Sequence, residues 1–146
     1  MRLQDLFWRK SLQEASKKEM NDKPIQVLSI EDDYDYAYLL QEMLAATWGA
    51  PFDLEHADRL STGQEWLIRG GFDLVLLDLS LPDSWGFDSF DKVRNLAPNV
   101  PIIVLSGIGD KKLANRAMRE GARGYLIKGK TDADLLAQTI RRAITL

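Results

Sequence analysis

Five short apolar runs recur along the chain: Ile25–Ile30, Phe52–His56, Phe72–Leu77, Ile102–Leu105 and Tyr125–Ile127. In the third and fourth, Leu-Val-Leu-Leu and Ile-Ile-Val-Leu show no polar alternation, the pattern of strands buried on both faces. The stretches between the runs keep a helical period. Tyr36, Leu39, Leu40, Met43 and Leu44 fall at i, i+3, i+4, i+7 and i+8. Leu113, Ala114, Ala117 and Met118 repeat the spacing and stop at Gly121, which is placed to cap the helix. Leu135, Leu136, Thr139, Ile140 and Ala143 carry a last helix nearly to the end of the chain. Strict strand–helix alternation predicts an α/β fold with a parallel sheet covered on both sides. Right-handed crossovers leave few arrangements. A doubly wound, five-stranded sheet of flavodoxin-like order 2-1-3-4-5 is the natural one, and such sheets place their sites at the carboxyl ends of strands.

Met1–Lys23 follows no strand pattern. It mixes Arg2, Arg9, Lys10, Lys17 and Lys18 with Asp5, Glu14 and Glu19, and its apolar stripe (Leu3, Leu6, Phe7) thins after Leu12. We expect an N-terminal helical extension that is stable only when docked, with Phe7 and Trp8 able to anchor a partner. Pro24 marks the boundary, so residues 1–23 read as an extension and 24–146 as one domain.

Composition narrows the chemistry. At 146 residues, 45% hydrophobic and 28% charged, the chain has the balance of a soluble domain with a full core. It has no cysteine and a single histidine, His56, which excludes disulfides, thiol chemistry and multi-histidine sites. His56 is expected to be structural or on the surface, and Trp66 to belong to the core. A net charge of −3 and a pI near 5.2 give no footprint for direct nucleic-acid binding. No apolar run approaches the roughly 20 residues of a membrane span. The N-terminus also lacks the apolar segment of a secretory signal, so the expected location is cytoplasmic.

The residues at the strand ends carry the functional signal. Glu31-Asp32-Asp33 follow the first strand, Asp78 the third, Ser106-Gly107 the fourth and Lys128-Gly129 the fifth. Carboxylates, a hydroxyl and an ammonium are thereby brought to one edge of the sheet. Crowded carboxylates call for a hard cation or a proton, and Mg²⁺ suits an all-oxygen set. One carboxylate can attack phosphorus to give an aspartyl phosphate. Lys128 would offset charge on the phosphoryl oxygens, and Ser106 could donate to one of them. Asp33 or Asp35 is better placed than Asp32 to cap the first helix.

The segments VLSIEDD, DLVLLDLSLPDSWG, PIIVLSG and GARGYLIKG resemble, in order, the four signature regions of the receiver domain of two-component response regulators. The resemblance covers Pro24 to about Leu146. It implies that Asp78 accepts a phosphoryl group from a histidine kinase or phosphotransfer protein. It further implies Mg²⁺ bound by Asp32 directly, Glu31 through water, Asp78 and the backbone carbonyl of Ser80. Lys128 matches the family's lysine, Ser106 the switch hydroxyl and Tyr125 the switch aromatic. Glu31, Ser106 and Gly129 stand where Asp, Thr and Pro are commoner. Gly129 puts in doubt the cis peptide usual after the lysine, since without proline it costs about 3–4 kcal/mol. Trp85 is bulky for its loop.

Such a domain is a switch, an enzyme only in its self-catalysed phosphoryl transfer and hydrolysis. Three other readings compete. A pseudo-receiver would lack part of the set Asp32, Asp78, Ser106 and Lys128. An aspartyl-phosphate hydrolase would want an acid where Ser80 stands. A flavin-binding domain would want a Ser/Thr-rich loop in place of Glu31-Asp32-Asp33. The expected output is a protein target or self-association through the last two helices. The residues leave open whether the chain is a whole protein or a part of a longer regulator.

Overall fold

A parallel sheet can bury its strands only when helices cover both of its faces. In the computed structural model of the chain, which describes residues 23–49 and 51–145, they do. The elements run β1 (Ile25–Ile30), α1 (Tyr34–Ala45), β2 (Phe52–Ala57), α2 (Leu60–Arg69), β3 (Leu74–Asp78), α3 (Phe87–Leu96) and β4 (Ile102–Ser106). A short 3₁₀ turn (Ile108–Asp110), α4 (Lys111–Arg119), β5 (Gly124–Ile127) and α5 (Ala133–Thr145) complete them. All pairings between these five strands are parallel, and the order is β2-β1-β3-β4-β5, as the alternation predicted. The helix expected over Met1–Lys23 lies outside the described residues, except for Lys23 at its end. Among the described residues no helix is long and apolar enough to cross a membrane.

Alternate strand residues feed two cores. Val27, Leu74, Leu76, Ile103, Leu105 and Leu126 pack with Leu40 and Leu44 of α1 and with Leu136 and Ile140 of α5. Leu28, Ile30, Val75, Leu77 and Val104 pack with Leu67 of α2, Phe90 and Val93 of α3, and Ala114 and Ala117 of α4. The central strands have no accessible surface at Leu76, Leu77, Ile103 or Leu105. Burying each such side chain is worth about 1.5–3 kcal/mol.

Several expectations need adjustment. The third strand is Leu74–Asp78 rather than Phe72–Leu77, because Phe72 turns aside to meet Trp66 edge-on at 6.1 Å while Asp78 still pairs with Leu105. The fourth extends one residue, to Ser106, which pairs with Ile127. Trp66 packs against the core as expected but is only half-buried, with the Arg69 guanidinium 5.4 Å from its ring. Leu39, Met118 and Leu135 sit at the edges of their stripes and stay exposed.

Caps hold the helices in register with the sheet. Asp33 Oδ1 accepts from the backbone N–H groups of Asp35 and Tyr36 and starts α1. At the end of α4, Ala122 N–H donates to Ala117 O and Gly121 N–H to Met118 O, the paired bonds that stop a helix at a glycine. The N-terminus of α2 has no side-chain cap from its own N-cap residue, Arg59. Asp83, from the loop after β3, accepts from Leu60 N–H at 2.8 Å and Ser61 N–H at 2.9 Å.

Gly63 lets α2 settle onto β1. A methyl group there would lie 2.4 Å from Ile30 Cδ1 and 2.8 Å from Ile30 Cγ1. Alanine gains about 1 kcal/mol of helix propensity, but overpacking costs about 1–3 kcal/mol. We expect Gly63→Ala to destabilise the fold by about 1 kcal/mol in urea unfolding. In an Ile30→Val background, which removes the nearer methyl, the same change should cost measurably less. Additive effects of the two changes would disprove the close approach.

Candidate functional site

The acidic end of the site begins where β1 stops. Glu31 follows Ile30, and its N–H donates to Ala57 O at 2.9 Å, so its backbone remains tied to β2. His56 Nε2 meets the Glu31 carbonyl at 2.6 Å. A carbonyl only accepts, so this nitrogen carries the proton. His56 thus has a structural part, reinforced by edge-on contact with Tyr34 at 5.4 Å. The Glu31 side chain has no accessible surface, and its Oε1 accepts from Asp33 N–H at 3.0 Å. Asp32, next along, is exposed.

Asp78 is the last residue of β3, only 4% exposed, at the centre of the sheet. Its Oδ1 accepts from Ser80 N–H at 2.9 Å, and its Oδ2 accepts from Lys128 Nζ at 2.9 Å. Lys128 Nζ also lies 2.6 Å from Glu31 Oε2, an ion pair. One carboxylate oxygen from each of Glu31, Asp32 and Asp78 falls within a group spanning 4.8 Å.

Electrostatics follow from this crowding. Burial raises the Glu31 carboxyl from 4.5 to about 7; Asp78 adds to the rise and Lys128 opposes it. Burial also works against the Lys128 ammonium, but its contacts with Glu31 and Asp78 prevail and hold it above the usual lysine value. The ammonium is therefore charged at neutral pH.

The loops fix the remaining groups. Lys128 opens a turn in which Lys130 N–H donates to Ile127 O, and Gly129 takes a φ of 84°, a conformation glycine accepts readily. All peptide bonds among the described residues are trans, including Lys128–Gly129. Ser80 stands opposite Trp85 in an isolated bridge, closed by Leu81 N–H to Ser84 O and Gly86 N–H to Leu79 O. Neither bond uses the Ser80 carbonyl. Trp85 is 64% exposed. Ser106 is buried, with no partner for its Oγ among the described residues. Tyr125 is half-buried against the core on the α4 side.

The structure thus brings Glu31, Asp32, Asp78 and Lys128 together. It holds Ser80 and Ser106 at neighbouring positions and sets Tyr125 further along β5. Sequence reasoning missed Asp83 as the cap of α2, His56 as the brace of Glu31, and Tyr36, whose ring centre lies 4.9 Å from Lys128 Nζ. Tyr36 had the helical spacing of a packing residue, and the contacts of Asp83 and His56 cross 23 and 25 residues of sequence.

Comparison with known proteins agrees with this geometry. The family model of the response regulator receiver domain matches residues 27–140. The chain is 31% identical over 125 residues to the probable transcriptional regulatory protein SilR of Salmonella typhimurium, covering 84% of this chain and 54% of SilR. It is 36% identical over 118 residues to the regulatory protein LuxO of Vibrio cholerae serotype O1, covering 79% of this chain and 24% of LuxO. The chain therefore spans about half the length of one relative and a quarter of the other. A solved response regulator receiver domain protein from Clostridium thermocellum matches with a TM-score of 0.72 at 28% identity, over 82% of this chain and 94% of that one. The chain belongs to the response regulator receiver domain family, the signal-receiving module of two-component systems.

Proposed function

We propose that Asp78 is the phosphoacceptor of this receiver domain, taking its phosphoryl group from a phosphohistidine on a kinase or phosphotransfer protein. The observation that carries the reading is Lys128 Nζ lying 2.6 Å from Glu31 and 2.9 Å from Asp78, beside the clustered Asp32 carboxylate. An Asp78 oxygen attacks phosphorus as the phosphorus–nitrogen bond breaks, and the imidazole keeps the electron pair. Lys128 is already in place to offset charge on the phosphoryl oxygens. The buried Ser106 hydroxyl, lacking a partner, is free to donate to one of them.

The donors suit Mg²⁺. They are hard oxygens only, the Glu31 carboxylate is buried beside Asp78, and the exposed Asp32 leaves a side open to water. Asp32, Asp78 and the Ser80 carbonyl would hold the ion, with Glu31 acting through water. The ion would supply positive charge beside the transferring group.

We assign residues 24–146 to the receiver and Met1–Lys23 to an N-terminal extension. Output passes through α4, β5 and α5 to a protein target or a second copy. Ser106 moves toward the phosphoryl group, and Tyr125 turns into the space beside β5. A kinase that draws on ATP places the exchange in the cytoplasm. Catalysis is confined to the domain's own phosphorylation and its reversal.

With acetyl phosphate and Mg²⁺, intact-mass measurement should show one base-labile phosphoryl group on the wild type and none on Asp78→Asn. Equal incorporation by the variant rules out Asp78 as acceptor.

Mg²⁺ binding, followed by Trp85 fluorescence with Trp85→Phe as control, should weaken by about tenfold or more in Asp32→Asn, or about 1.4 kcal/mol. Glu31 must be ionised to join the site, so affinity should also fall as pH drops below about 7. Titrations that superimpose at pH 6 and pH 8 contradict that role.

Without metal, stability should decline as pH rises from 4.5 to about 7, because there the folded chain holds a proton that the unfolded chain has released. Glu31→Gln should flatten this slope in urea unfolding with chelator present. A slope unchanged by the substitution would place its origin elsewhere.

A further inference from the structure

Tyr36 lies in the first turns of α1, on the side that packs against the core shared with α5. Its ring sits beneath the Lys128 ammonium, with Nζ 4.9 Å from the ring centre. Its hydroxyl is buried and has no hydrogen-bond partner among the described residues. The contact with Lys128 therefore runs through the ring face, and the phenol oxygen takes no visible part in it.

Lysine carries its charge on a flexible four-carbon stem, and among the described residues two carboxylates on neighbouring strands hold this one. An aromatic face below the ammonium adds attraction from its quadrupole and closes off one direction of escape. At 24% side-chain exposure, Lys128 is sheltered enough from water for that attraction to count.

We propose that Tyr36 is a positioning residue for phosphoryl transfer, holding Lys128 over the acceptor by a cation–π contact. The inference rests on the reading of Asp78 as phosphoacceptor. It assigns no proton transfer to Tyr36 and no contact with the phosphoryl group. Before transfer the ring keeps the ammonium between Glu31 and Asp78. During transfer it limits the loss of order as the ammonium shifts from a carboxylate oxygen to a phosphoryl oxygen.

The test compares Tyr36→Phe, Tyr36→Leu and Tyr36→Met in the full chain, with melting temperatures recorded for each. Phenylalanine keeps the ring face, whereas leucine and methionine fill the space without it. The second-order rate of phosphorylation by acetyl phosphate with Mg²⁺ should fall about fivefold in the Leu and Met variants, equivalent to about 1 kcal/mol. Tyr36→Phe should restore most of that rate. In NMR spectra the Lys128 εCH₂ protons should show a ring-current shift in wild type and Tyr36→Phe that disappears in Tyr36→Leu.

Leu and Met variants that react as fast as wild type overturn the inference while leaving Asp78 as acceptor. So does a Phe variant as slow as Leu, or a lysine resonance unmoved by removing the ring. Wild type that takes no phosphoryl group overturns the Asp78 assignment and this inference together.

Discussion

Two carboxylates buried side by side at the end of a sheet need a counter-charge, because burial removes the water that would otherwise separate them. Glu31 and Asp78 stand in that position at the ends of β1 and β3, and Lys128 reaches across from the end of β5 to meet both. Much of the local architecture serves this triangle. His56 braces the Glu31 backbone, Asp33 N–H takes one Glu31 oxygen, Ser80 N–H takes one Asp78 oxygen, and a glycine turn sets the root of the lysine. The apolar cores then fix the separation of the three strand ends, since the central strands have no room to shift.

The fold was largely legible in the sequence because its signals are local. The runs at Leu74–Leu77 and Ile102–Leu105 carry no polar residue, and a continuously apolar strand belongs in a sheet covered on both faces. The acidic pair, Asp78, Ser106 and Lys128 could be singled out because the topology rule sends the ends of parallel strands to one edge. Strand limits were less legible. Asp78 and Ser106 look like the first residues after their strands, yet the backbone ladder continues through both. A polar side chain gives no warning that its peptide groups remain paired.

What stayed hidden were contacts between elements remote in sequence. The cap of α2 comes from Asp83, and no pattern near Arg59 or Leu60 indicates it. Tyr36 has the spacing of an ordinary packing residue, and only the three-dimensional path of Lys128 gives its ring a charged neighbour. Burial explains the same gap for Glu31. Its composition is that of any surface glutamate, and its raised pKa arises from side chains that close over it.

The borrowed cap ties two regions that sequence keeps apart. The loop from Leu79 to Gly86 is pinned at one end by Asp78 and Ser80 and along its length by Asp83 to the first turn of α2. That loop behaves as a bracket spanning two helices. Opening it strips two backbone donors of their acceptor at the start of α2, so the loop and the helix end must loosen as one unit. Hydrogen exchange at Leu60 and Ser61 would then act as a gauge of motion in a segment more than 20 residues downstream. A change at the edge that carries Asp78 would reach the start of α2 without any shift in the strands.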